Sequence, residues 1–138
     1  MDFETARQVL AAQPFSELLG ARLAAFGDGE AVLEVPVDDR FRQQYGLIHG
    51  GVLAYLADNS LTYAAALGLG PSVLTSGFTI DYVSGVREGA TLRATAELVH
   101  SSRRKATAHC RIEVVDDAGA AKLCAVAQGT VLATDRAA

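Results

Sequence analysis

The chain has 138 residues, half of them hydrophobic, with a formal net charge of −4. That length suits one domain spanning 1–138, large enough to bury one continuous core without staples. No apolar run is long enough to span a bilayer, and the mild negative charge leaves no electrostatic footprint for nucleic acid. Met1-Asp2-Phe3-Glu4 lacks the basic flank and apolar centre of a signal peptide. The expectation is therefore a cytoplasmic protein with no membrane or nucleic-acid partner.

Phe3, Ala6, Val9 and Leu10 recur at helical spacing over 3–12, with Asp2 placed as N-cap. A second helical turn around Phe15–Leu19 stops at Gly20 and completes an N-terminal helical segment, 1–19. Two strands, about 21–27 and 30–37, meet at Gly27-Asp28-Gly29 as a hairpin, and open the core, 20–132. A loop over 38–48 carries Gln43, Gln44, Tyr45 and Gly46. From Gly50 to about Leu67 the run is rich in Ala and Leu, and Gly68-Leu69-Gly70-Pro71 predicts its stop. Being apolar nearly all round, this helix is expected to lie buried rather than half exposed.

The C-terminal half alternates. Leu92, Ala94, Ala96 and Leu98 interleave with Thr91, Arg93, Thr95 and Glu97, and 106–114 repeats the pattern with Ala106, Ala108, Cys110, Ile112 and Val114. Period-two alternation marks antiparallel strands with one covered face. Asp116-Asp117-Ala118-Gly119 turns the chain into a last strand, about 121–132. Two strands before the helix and four after it predict an α+β fold: a curved antiparallel β-sheet wrapped around one long central helix.

Between Arg42 and Asp81 the only formal charge is Asp58, set inside the apolar helix. An unpaired carboxylate there is costly to desolvate, so it is either paired from outside the segment or kept for chemistry. His49 lies nine residues earlier. Nine helical residues rise about 13.5 Å and turn about 900°, which puts the two on roughly opposite sides. One site using both needs a second subunit, hence a two-fold homodimer with two equivalent sites. Gly50 and Gly51 open the helix, where backbone N–H groups lack intrahelical partners and a carbonyl can approach closely. Thr62, one turn after Asp58, either bonds that carboxylate or back-bonds to its own helix.

The stretch Gln43-Gln44-Tyr45-Gly46-Leu47-Ile48-His49-Gly50-Gly51, continued through Ala57-Asp58-Asn59 and Thr79-Ile80-Asp81-Tyr82, resembles the hotdog-fold acyl-CoA thioesterases, nearest to their PaaI-like branch. The resemblance covers roughly 20–132 and implies the hotdog fold. It also implies Asp58 as nucleophile or general base, and Gly50 N–H as the donor that polarises the thioester carbonyl. His49 would hold the loop and the carbonyl. Gln43 would stand where many members carry an Asn that orients substrate or water. A helper hydroxyl is implied at Thr62, or else at Thr75 or Ser76 at the start of the following strand. Gly51 would lie against the substrate, and Arg103 and Arg104 sit where members contact coenzyme A phosphates; a solvated hairpin tip reads equally well there.

The reaction so implied is hydrolysis of an aryl- or medium-chain acyl-CoA by a homotetramer built as a dimer of dimers. Coenzyme A enters only as part of the substrate, and no other cofactor is expected. His100 and His109 form no ligand set with His49, so no metal is expected either. Cys110 and Cys124 read as small, half-buried strand residues. Two rivals remain: a non-catalytic acyl-CoA-binding hotdog module, and an enoyl-CoA hydratase-type enzyme. The second is disfavoured because Gln43 and Gln44 stand where hydratases place an acid before the His.

Overall fold

A computed structural model of the chain describes residues 1–134; the last four of the expected 1–138 domain lie outside the described residues. Two short helices lead, α1 (Phe3–Ala11) and α2 (Pro14–Leu19), followed by strands β1 (Arg22–Gly27) and β2 (Glu30–Pro36). The long helix α3 (Gly50–Leu69) separates these from β3 (Val73–Tyr82), β4 (Thr91–Ser101), β5 (Lys105–Val115) and β6 (Ala121–Ala133). A short 3-10 turn, Asp39–Phe41, lies in the loop before α3, where Asp38 caps it through Arg40 N–H.

Local chemistry sets the helix ends. Asp2 Oδ1 accepts from Thr5 N–H at 2.8 Å and starts α1. Pro14 opens α2, and Gly20, at φ +73°, closes it in the left-handed region. The helix stops within the expected Gly68-Leu69-Gly70-Pro71 signal, running to Leu69 and ending at Gly70, φ +89°. Gly68 serves packing instead, since a Cβ there would stand 2.6 Å from Ser101 Oγ and 3.0 Å from Leu98 Cδ2.

All strand pairs are antiparallel, in the order β1-β2-β4-β5-β6-β3. The buried face of the sheet sets a patch of small residues, Ala94 and Ala96, Ala106 and Ala108, Ala125 and Ala127, beside the larger Leu33, Leu92 and Ile112. Small side chains let the sheet approach Leu53, Leu56, Leu61 and Ala64 of the helix, also buried. Irregularities in register at Leu23/Ala25, Thr75/Gly77, Leu98/His100 and Ile112/Glu113 add local twist, which helps the sheet curl. This is the hotdog arrangement that the resemblance implied.

The helix is not buried all round, against expectation. Ala54, Tyr55, Asp58, Asn59 and Thr62 are half-buried along one stripe at three- and four-residue spacing. The sheet wraps the other faces of α3, and this one is covered only in part, by Phe15 of α2 edge-on against Tyr55 and by Thr75 of β3 against Asp58 and Thr62. Cys110 and Cys124 are free thiols buried more deeply than expected, because their side chains belong to the inner layer.

Candidate active site

The first half of the site is built at the N-terminus of α3. His49 is extended (φ −61°, ψ 135°), and its Nδ1 accepts from Gly51 N–H at 2.9 Å, so the histidine is the N-cap. Its backbone N–H donates to Phe41 O at 2.7 Å, and its carbonyl accepts from Val52 N–H at 3.0 Å. Gly51 N–H is thus taken by the cap. Gly50 N–H has no acceptor among the described residues, and it points out of a helix end that favours negative charge. Gln43 Oε1 accepts from Tyr45 N–H at 2.6 Å and Leu47 N–H at 3.3 Å, closing the loop ahead of the histidine. Its amide nitrogen has no partner among the described residues.

A cleft of about 380 Å³ opens beside these groups, lined by Gln43, Leu47, Ile48, Gly50, Leu53 and residues 82–86. Tyr82, at the end of β3, donates its hydroxyl to Gly50 O at 3.0 Å. A Cβ on Gly50 would lie 3.0 Å from the Tyr82 ring, a tight contact that the ring would have to ease by a few tenths of an ångström. Sequence reasoning assigned Tyr82 no role; nothing in its neighbours signals a contact 32 residues away.

The second half lies further along α3. Asp58 Oδ1 accepts from Thr75 Oγ1 at 2.6 Å, across from the start of β3. Thr62 donates to Asp58 O, its own helix carbonyl, at 2.8 Å, and stands 2.6 Å from Thr75 Oγ1. Thr75 therefore touches the carboxylate directly, while Thr62 back-bonds to its own helix; each hydroxyl carries one proton, so with both given to Asp58 the Thr62–Thr75 approach is a contact and not a third hydrogen bond. Asp58 Oδ2 has no hydrogen-bond partner among the described residues. The register break between Thr75 and Gly77 leaves Ser76 unpaired and exposed, lining a hollow with Thr79, Thr107 and Gln128 on the sheet's outer side. Ser76 is not brought to Asp58.

Within one chain the two halves stay apart. Asp58 does not line the cleft beside Gly50, and no hydrogen bond joins it to His49. Arg103 and Arg104 are exposed in the turn between β4 and β5. That turn follows Ser101, which packs on Gly68 near the far end of the 20-residue helix, about 30 Å of helix from Gly50.

A polar network behind Asp58 went unforeseen. Tyr55 donates to Ser16 Oγ at 2.6 Å, and Asn59 Nδ2 donates to Gln13 Oε1 and to Tyr55 Oη, both at 3.1 Å. Its members sit on α3 and around α2, so no local spacing could reveal it. Tyr63 is core, as its buried ring and its bond to Ala6 O show; burial pushes its hydroxyl up to about 12. Among the described residues no group of three or more His, Cys, Asp or Glu is placed to hold a metal, and no helix is long and apolar enough to cross a membrane.

Comparison with known proteins matches residues 45–121 to the thioesterase superfamily. The 1,4-dihydroxy-2-naphthoyl-CoA hydrolase of Listeria monocytogenes is 28% identical over 73% of this chain and 81% of its own. The acyl-coenzyme A thioesterase PaaI of Escherichia coli is 32% identical over 73% and 70%. Its structure, described as from the phenylacetic acid degradation operon, superposes with TM-score 0.82 at 26% identity, covering 96% of this chain and 92% of that one. A thioesterase family protein from Silicibacter pomeroyi gives TM-score 0.84 at 28% identity over 94% and 95%. The family match over residues 45–121, the 32% identity to a curated thioesterase and the same fold matched almost end to end together show that the chain belongs to the thioesterase superfamily, as a PaaI-like thioester hydrolase of the hotdog fold.

Proposed function

We propose that this protein hydrolyses the thioester of an aryl- or medium-chain acyl-CoA to the free acid and coenzyme A, in the cytoplasm, with Asp58 as nucleophile or general base. The observation that carries the reading is the state of Asp58: Thr75 holds Oδ1, and Oδ2 is left available on a half-buried stripe. A carboxylate fixed through one oxygen presents the other in a defined direction. The relatives' names support the substrate class.

The thioester carbonyl oxygen is polarised by Gly50 N–H, backed by the α3 dipole. Gln43 and Tyr82 border the same cleft, and His49 keeps the donor in place by capping its neighbour. Asp58 Oδ2 either takes a proton from the water that attacks the carbonyl carbon, or attacks that carbon itself to give a mixed anhydride that water hydrolyses after the thiolate has left. In both cases the C–S bond breaks, and coenzyme A leaves as a thiolate that picks up a proton. Label from H₂¹⁸O found in the Asp58 carboxylate after turnover would establish nucleophilic attack with water entering at the Asp58 carbon of the anhydride, since general-base catalysis leaves Asp58 unlabelled. No cofactor is needed beyond the coenzyme A that the substrate carries.

Gly50 and Asp58 lie eight residues apart on α3, about 12 Å along its axis. The site is therefore proposed to form between two subunits, Gly50 from one and Asp58 from the other. The outer edge of β3 is unpaired among the described residues, and Leu74, Tyr82 and Val83 there are more than half exposed; such an edge favours association with a second chain. Two such dimers would make the tetramer, with Arg103 and Arg104 as coenzyme A phosphate contacts.

Free thiol release from a panel of acyl-CoAs tests the chemistry. Wild type is expected to turn over at least one member, with Asp58→Ala inactive; a fully active Asp58→Ala would refute the assignment. A strict monomer in sedimentation would rule out the shared site.

A further inference from the structure

We propose that Tyr82 is a positioning residue that fixes the direction of the Gly50 N–H. This rests on the thioesterase reading above, in which that N–H polarises the thioester carbonyl, and it adds a residue from the sheet to that machinery.

Two successive glycines make a loose start for a helix. Gly50 and Gly51 are the first two residues of α3, and glycine reaches backbone angles closed to other residues. A donor aimed at a developing oxyanion must hold its direction before the substrate arrives. That order has to come from outside the pair.

Two side chains supply it by gripping one peptide unit. The N–H end of the Gly50–Gly51 peptide donates to His49 Nδ1 at 2.9 Å, and its carbonyl end accepts from the Tyr82 hydroxyl at 3.0 Å. A peptide unit is planar and rigid, so a bond at each end fixes its plane. The preceding unit, which carries the Gly50 N–H, is held at its carbonyl by Val52 N–H at 3.0 Å. With the planes on both sides of the Gly50 Cα fixed, the donor cannot swing. A carbonyl oxygen has two lone pairs, so the tyrosine can bond it without displacing a helical donor.

Tyr82 is itself anchored. It pairs with Ala125 of β6, and just beyond it Val83 N–H donates to Cys124 O at 2.9 Å and Ser84 Oγ to Leu123 O at 2.6 Å. Its ring lies against Gly50. The hydroxyl thereby passes the rigidity of the sheet to the first turn of the helix.

The test combines ¹⁵N order parameters of glycine-labelled protein with thiol-release kinetics on a panel of acyl-CoAs. Tyr82→Phe keeps the ring and removes only the hydroxyl. The order parameters of Gly50 and Gly51 should fall from rigid-backbone values, about 0.85, towards the flexible range. On the best ester kcat should drop about fivefold, the worth of an ordinary hydrogen bond, with KM unchanged. Tyr82→Leu should lose at least as much, and keeps the test alive if Tyr82→Phe fails to fold. Combined with His49→Ala, Tyr82→Phe should cost less than its effect alone, because the two side chains grip the same peptide. Unchanged glycine order parameters, a raised KM at constant kcat, or a double loss equal to the product of the single losses would overturn this proposal alone. Absence of thiol release by wild type from every ester would instead refute the thioesterase reading, and this proposal with it.

Discussion

Replacing Thr75 by Val keeps the shape of the side chain and removes only the hydroxyl, which makes it the sharpest probe of how Asp58 is held. The lost contact is a 2.6 Å hydrogen bond to a carboxylate oxygen. Hydrogen bonds to charged groups are worth about 1.5–3 kcal/mol, and a half-exposed acceptor argues for the lower end. If that energy orients Asp58 for the reaction, about 1.5 kcal/mol becomes roughly a tenfold loss in kcat. KM should change little, because Thr75 meets the carboxylate and does not line the cleft beside Gly50. Thr62→Val should do less, about threefold at most, since its hydroxyl bonds the Asp58 backbone carbonyl and reaches the carboxylate only through Thr75. Thiol-release kinetics on the best acyl-CoA, with Asp58→Ala as the floor, give the order directly. Unchanged kcat in Thr75→Val, or a larger defect in Thr62→Val than in Thr75→Val, would refute the reasoning.

Gly68→Ala tests packing against propensity: alanine should gain about 1 kcal/mol in a helix, but its Cβ would stand 2.6 Å from Ser101 Oγ and 2.9 Å from Ser101 Cβ. Overpacking of this kind costs about 1–3 kcal/mol, so a lower Tm is expected, and a raised one would show that β4 yields freely. Glu34 is the buried centre of a cross-strand pair, accepting from Arg22 at 3.1 Å and Arg93 at 2.7 Å. Burial alone would raise its carboxyl, but the bonds from Arg93 and Arg22 prevail and hold it below the ordinary range. A depressed folded value contributes stability that is present above the unfolded value, about 4.5, and lost as pH falls through the folded one. The Tm gap between wild type and Glu34→Gln should therefore be widest near pH 7 and close in acid; a gap that ignores pH would exclude the ion pair as its source. Burial pushes the Cys124 thiol up to about 11 and raises Cys110 as well. Ellman's reagent at neutral pH should label neither in the native protein and both in denaturant, whereas rapid native labelling would contradict the packing around β5 and β6.

Much of the architecture was legible because each element shows its own face. The alternation in 91–98 and 106–114 reports strands with one covered side, and β4 and β5 occupy those residues with extensions at their ends. The run from Gly50 reports a helix embedded in a sheet, and the lone Asp58 within it marked the residue to follow. Within the stop signal the two glycines divide the work, Gly70 ending the helix and Gly68 serving as a point of close approach. Only the position of Ser101, on a strand about thirty residues later, separates the two uses.

By itself, then, the sequence determined the element types, the hotdog class through its motif, and the candidate residues His49, Gly50 and Asp58. Tertiary structure decided which hydroxyl meets Asp58, that Tyr82 covers Gly50, and that Asn59 bonds Gln13. The physical reason is range. Periodicity and capping act over one or two turns, whereas Thr75 reaches Asp58 only because β3 adds to the sheet beside β6 with an interrupted register after Thr75. Contacts of that kind are settled by how the sheet closes around the helix, and no neighbouring residue in the chain records them.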